Sequence, residues 1–115
     1  MKVMKFGGSS VETPEGVRVV KNIVEREKEP TIVVVSALGG VTDRLLLAAD
    51  FAQNNNSAYK SLLDEVILKH ENVINKSIAN EIDRKEVIEN TNFLFDDLRN
   101  ILRGVYLIGD LSQKT

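Results

Sequence analysis

Apolar residues are spaced along this chain in two rhythms. In the first third they come as short runs. Residues 3–6 read as a short buried strand that stops at Gly7-Gly8. Thr31–Val35 is β-branched and apolar on both faces, the pattern of a central parallel strand. Between them Val17, Val20 and Val24, with Ile23 beside them, recur at helical spacing. Thr13 is placed to cap that helix, Pro14 suits its first position and Glu15 its positive end. The charged run 25–29 and Pro30 close it. Strand, glycine loop, helix and strand make a βαβ unit with a right-handed crossover, and the fold class is α/β.

The second rhythm is helical throughout. Residues 45–51 predict a short helix ended by Asn54-Asn55-Asn56. Tyr59, Leu62, Leu63, Val66, Ile67, Val73 and Ile74 mark one long helix. Val87, Thr91, Leu94, Leu98, Ile101 and Leu102 mark another, interrupted at Gly104. Residues 105–109 fit either a strand or the last turns of that helix. The expected organisation is a βαβ core over residues 1–42 and a helical segment over 43–105. Two strands are few for a stable doubly wound sheet, and the run Ser112-Gln113-Lys114-Thr115 carries no terminator. The expectation is therefore an incomplete domain. The alternative is a small helical protein with a two-strand flap.

Composition narrows the function classes. The 115 residues are 43% hydrophobic and 28% charged, ordinary for a soluble globular chain. A net charge of −2 gives no reason to expect nucleic acid or an anionic membrane. There is no cysteine, hence no disulfide, thiolate nucleophile or cysteine-ligated zinc. No apolar run reaches the roughly 18 residues of a membrane span, and the first six residues are too short and charged for a secretory signal. A cytoplasmic protein is expected.

Two glycine-bearing loops carry the candidate chemistry. Lys5-Phe6-Gly7-Gly8-Ser9-Ser10 lies between a strand end and a helix start. Its glycines let backbone N–H groups approach an anion, Ser9 and Ser10 add hydroxyl donors, and Lys5 supplies a mobile cation. This is not the P-loop pattern, whose lysine follows a longer glycine spacing. Alone it reads equally well as a tight turn. Ser36-Ala37-Leu38-Gly39-Gly40-Val41-Thr42-Asp43 follows the second strand. Ser36 and Thr42 offer hydroxyls there, and Thr42 or Asp43 can also cap the next helix. If the strands are parallel neighbours, both loops share the carboxyl edge of the sheet, where open α/β sheets bind ligands.

Met4-Lys5-Phe6-Gly7-Gly8-Ser9-Ser10-Val11 resembles the opening signature of aspartokinases. Val33-Val34-Val35-Ser36-Ala37 with Gly40-Val41-Thr42-Asp43 resembles their second block at the expected distance, Asp43 standing where many relatives carry asparagine. The stretch 103–111 resembles, more loosely, a segment of bifunctional aspartokinase–homoserine dehydrogenases. The resemblance implies a partial amino-acid-kinase fold and transfer of the ATP γ-phosphate to the β-carboxylate of L-aspartate. It implies Lys5 as the catalytic residue, contacting the phosphates and stabilising charge on the transferring group. Lys5, Gly7, Gly8 and Ser9 would bind ATP phosphate, and Ser36 and Thr42 would bind aspartate. The implied cofactor is ATP with Mg²⁺ in a full-length parent, with no metal ligand in this stretch. The implied assembly is a homo-oligomer without nucleic acid or membrane. Later blocks of the family are missing, so the segment alone is expected to be inactive and to self-associate. A carboxylate acceptor is already ionised at neutral pH, so the chemistry requires no general base.

Competing readings are another amino acid kinase, of glutamate or acetylglutamate type, and a helical dimerisation module with a vestigial nucleotide loop. His70 reads as a packed structural histidine, Asp96-Asp97 as a solvated face, residues 83–89 as an exposed charged helix end, and Phe93 and Phe95 as packing residues.

Overall fold

In the computed structural model the chain runs β1 (Lys2–Phe6), α1 (Pro14–Arg26), β2 (Thr31–Val35), α2 (Val41–Gln53), α3 (Tyr59–Ser77) and α4 (Glu81–Lys114). It describes residues 1–114; Thr115, the end of the terminal run noted above, lies outside them. β1 and β2 pair in parallel, Lys2 opposite Thr31 through Phe6 opposite Val35, and α1 makes the crossover. The cap of α1 follows its sequence signature: Gly16 N–H donates to Thr13 Oγ1 at 3.0 Å, with Pro14 in the first turn. The glycine at 16 is also a steric requirement. A β-carbon there would stand 2.5 Å from the Ser10 carbonyl oxygen, so the first glycine loop lies directly on the helix start.

The core lies among the helices. Ala48 and Ala52 of α2, Tyr59 and Leu63 of α3 and Leu102 of α4 are buried together. Phe51, Leu62, Ile67, Phe95, Leu98, Val105 and Tyr106 pack around them. α3 follows its predicted stripe, with Tyr59, Leu63, Val66 and Val73 buried. α1 leans on α3, tied by Arg18 Nη2 donating 3.1 Å to the Lys76 carbonyl near the end of that helix.

Five expectations need correction. The strands are not buried: Val3 is 64% and Val35 55% exposed, because among the described residues the sheet has only these two strands. α2 is longer than residues 45–51, starting at Val41, so the helical part begins two residues before position 43 and extends to Lys114. Gly104 does not interrupt α4; residues 105–109, open between strand and helix, are helix. The buried stripe of α4 uses Phe95 rather than Leu94 and Ile101, which are 67% and 62% exposed. Phe93 is exposed as well, a residue away from the packed Phe95.

The reason α4 continues is visible at its second glycine. A β-carbon on Gly109 would stand 2.8 Å from the Gln53 carbonyl oxygen. Gly109 thus permits α4 to pass the end of α2 at backbone distance, and tertiary contact outweighs the low helix propensity of glycine. The resulting body is elongated, 61 × 29 × 21 Å, with a radius of gyration of 17.2 Å. A compact 100-residue domain has about 13 Å.

Candidate phosphate and acceptor site

Because β1 and β2 are parallel and in register, their carboxyl ends coincide. Ser36 N–H extends the ladder by donating to the Phe6 carbonyl at 3.1 Å, so the two loops leave the sheet side by side. After Phe6 the chain turns tightly, Ser10 N–H donating to Gly7 O at 3.1 Å and Val11 N–H to Gly8 O at 3.3 Å. Val11 is buried and anchors the turn. Gly7 faces open space: a β-carbon there would meet nothing within 4 Å. Gly8 faces the second loop, its β-carbon position 3.7 Å from Ser36 Oγ. Lys5, on the last turn of the β1 ladder opposite Val34, is exposed and makes no ion pair among the described residues. Ser9 is exposed on the turn.

In the second loop Ser36 Oγ donates to the Ala37 carbonyl at 2.8 Å. Gly40 has φ +81°, a left-handed conformation that glycine adopts without penalty. It is the N-cap of α2, which has no side-chain cap. Neither Thr42 nor Asp43 caps, a further correction. Thr42 is exposed in the first turn, and Asp43 complements the positive helix end. The structure thus gathers Lys5, Gly7, Gly8, Ser9 and Ser36 at one sheet edge, with Thr42 on the helix that starts there.

Three residues without a sequence signal hold the second loop. Lys69 Nζ, reaching from α3, donates to the Gly39 carbonyl. Glu12, in the first loop, packs under Gly39, where a β-carbon would stand 2.8 Å from its Cγ. Arg44 Nη1 donates to the Gly40 carbonyl at 3.3 Å, while its Nε donates to Glu65 at 3.1 Å. None could be singled out from spacing, since each acts through a partner at least four and up to thirty positions away.

The edge suits a phosphoryl group: an uncrowded glycine turn, a lysine with no ion pair among the described residues, and the exposed Ser9. No group of three His, Cys, Asp or Glu among the described residues could hold a metal ion. His70 is structural, its Nδ1 donating to the Val66 carbonyl at 2.7 Å and its ring meeting Phe95 edge-on at 5.1 Å. Asp96 pairs with Arg99 at 2.8 Å on the surface.

Residues 1–102 match the amino acid kinase family. The chain belongs to that family. Among similar proteins is the bifunctional aspartokinase/homoserine dehydrogenase 1, chloroplastic, of Zea mays, 33% identical over 112 residues that cover 96% of this chain and 12% of that protein. An aspartokinase of Chlamydia pneumoniae is 39% identical over 77 residues, covering 67% of this chain and 16% of its own length. An aspartokinase of Candida albicans is 33% identical over 123 residues, covering 98% and 22%. This amino acid kinase chain therefore spans between about an eighth and a quarter of the length of these relatives. Among the described residues no helix is long and apolar enough to cross a membrane.

Proposed function

We propose that this chain is the opening segment of an aspartokinase, within a protein that transfers the γ-phosphoryl group of ATP to the β-carboxylate of L-aspartate. That reaction opens the route to the aspartate-derived amino acids. The observation that carries the reading is the approach of the two loops, Gly8 beside Ser36 at the shared end of β1 and β2. A dimerisation module has no use for that convergence. In this reading the Gly7-Gly8-Ser9 turn lines the phosphate path with N–H and hydroxyl donors. Lys5 offsets negative charge on the transferring group. Ser36 and Thr42 hold the acceptor amino acid. ATP with Mg²⁺ supplies the phosphoryl group, and positioning and charge stabilisation are the protein's contribution. Plant bifunctional proteins and the Candida albicans aspartokinase match over nearly the whole chain at the same level of identity, so the looser likeness of residues 103–111 is what favours a parent that also carries a homoserine dehydrogenase. A homo-oligomeric, cytoplasmic enzyme completes the reading.

The test is acceptor choice. The full gene product bearing this segment is assayed for ADP release with L-aspartate, L-glutamate and N-acetyl-L-glutamate. Aspartate-dependent turnover alone is expected. Preference for either glutamate compound would reassign the acceptor, and no turnover with any would remove the kinase assignment.

A further inference from the structure

At the far end of α2 from the glycine loops, about 20 Å along a 13-residue helix, the first turns of α3 face the second half of α4 across a hollow of about 400 Å³. Tyr59 and Leu63, both buried, form its floor with Tyr106, the two tyrosine rings 5.5 Å apart. Lys60 comes from α3, Arg99 and Arg103 from α4, and Asp64 is the one carboxylate in the lining. Three cations against one carboxylate leave a formal excess of two positive charges at one place in a chain whose net charge is −2.

Two local features work against this concentration. Arg99 and Arg103 stand one turn apart on the same helix, a spacing at which like charges repel. Lys60 lies in the first turn of α3, which has no acidic residue and no side-chain cap, so a cation sits at the positive end of a helix. Arg99 is partly neutralised by Asp96. Lys60, Arg103 and Asp64 make no ion pair among the described residues. Lys60 and Arg103, both exposed and lining the same hollow, are left to attract an anion that enters between them. Arginine forks suit the paired oxygens of a phosphoryl or carboxylate group.

We infer that this hollow binds a small multivalent oxyanion, phosphoryl or carboxylate, at a site separate from the sheet edge. The anion bridges Lys60 to Arg103 and so joins α3 to α4, against the opposing charge of Asp64.

The inference stands independently of the acceptor assignment. Its test is calorimetric and NMR titration of the full gene product with pyrophosphate and with citrate, in a Lys5→Ala background that weakens anion binding at the phosphate loop. Saturable binding with amide shifts at Tyr106 is expected. Arg103→Gln and Lys60→Gln, on different helices, should each weaken it about tenfold or more, the scale of one lost charge-assisted contact. Asp64→Asn should tighten it, and Lys85→Gln, elsewhere on α4, should leave it unchanged. A preference for pyrophosphate or for citrate tells phosphoryl from carboxylate and upholds the site either way. Absence of saturable binding by both, equal weakening by Lys85→Gln, or weakening by Asp64→Asn would overturn it.

Discussion

Gly39 and Glu12 are in contact so close that the second loop can take its path only because position 39 lacks a side chain. A β-carbon there would lie 2.9 Å from the glutamate Cβ and 3.2 Å from its Cα. The near approach to Cα matters most, since backbone cannot swing away as a side-chain end can. The two loops are thus locked together at Gly39 and pinned from above by Lys69. Gly39→Ala should push the second loop off the first, costing about 1–3 kcal/mol of stability and raising KM for the acceptor. Lys69→Met, which leaves the packing stem but removes the donor, should raise acceptor KM with a smaller stability loss. Urea unfolding beside steady-state kinetics on the full gene product separates the two, and unchanged KM in both variants would detach the clamp from function.

Lys5 has the opposite profile. It is exposed and makes no ion pair among the described residues, so Lys5→Ala should leave the unfolding midpoint nearly unchanged. Losing one charge contact made at the transition state costs about 2.7–4 kcal/mol, roughly a hundred- to a thousandfold in kcat. Near-normal turnover of the purified variant would exclude Lys5 from the chemistry.

The two glycines of α4 make a matched pair. Gly104 faces open space, so Gly104→Ala should stabilise by about 0.5–1 kcal/mol through helix propensity alone. Gly109→Ala gains the same propensity but drives a methyl into the Gln53 carbonyl at 2.8 Å, and overpacking costs about 1–3 kcal/mol. Opposite shifts in denaturation midpoint are expected, and shifts of the same sign would contradict the packing described for residue 109.

That pair also shows how far the sequence could be read. Glycine at 104 and at 109 looks identical to propensity, and only the partner at Gln53 distinguishes them. Local chemistry was legible: Thr13, Pro14 and Glu15 announced the start of α1, and the β-branched run 31–35 announced a strand. The α3 stripe was legible because one face of a helix buried on one side follows a single period. On α4 the same rule misassigned Leu94 and Ile101, because that helix carries apolar residues on two faces and only one meets α2 and α3. At the site, both loops were placed by motif, whereas Glu12, Arg44 and Lys69 depend on folding to reach them.

One ion pair gives a pH signature. Lys2 Nζ donates to Glu27 Oε2 at 2.7 Å, joining the start of β1 to the end of α1, and this bond holds the Glu27 carboxyl below its ordinary value of 4.5. A carboxyl with a depressed folded-state pKa contributes stability above its unfolded value, and loses it as pH falls through the folded value. The stability difference between the wild type and Glu27→Gln should therefore be constant at neutral pH and shrink in the acid range below about 4.5. Parallel acid unfolding curves for the two proteins would show that the pair contributes nothing. The effect is small, because the Lys2 partner is about half exposed to solvent.

Val3, Ile32, Val33, Val34 and Val35 are exposed on the sheet, and Leu94, Ile101 and Ile108 on α4. Apolar surface on this scale, with open strand edges, favours association. The 115-residue chain should show concentration-dependent self-association in sedimentation or light scattering, weakened by Val35→Lys on the exposed strand. A monomer at all concentrations would show that these faces are tolerated by water.

The buried cluster that holds the molecule together begins at Ala48 and ends at Leu102, whereas every residue assigned to the phosphate and acceptor site lies at or before Thr42. Stability and chemistry are therefore written in separate stretches of one chain. A selection that scores only solubility would map α2, α3 and α4 in detail and pass over Lys5, Gly7 and Ser36 unmarked. A selection on turnover would find those positions at once, and the sites detected by both would be few: Gly39 and Lys69, where the helical half grips the loop.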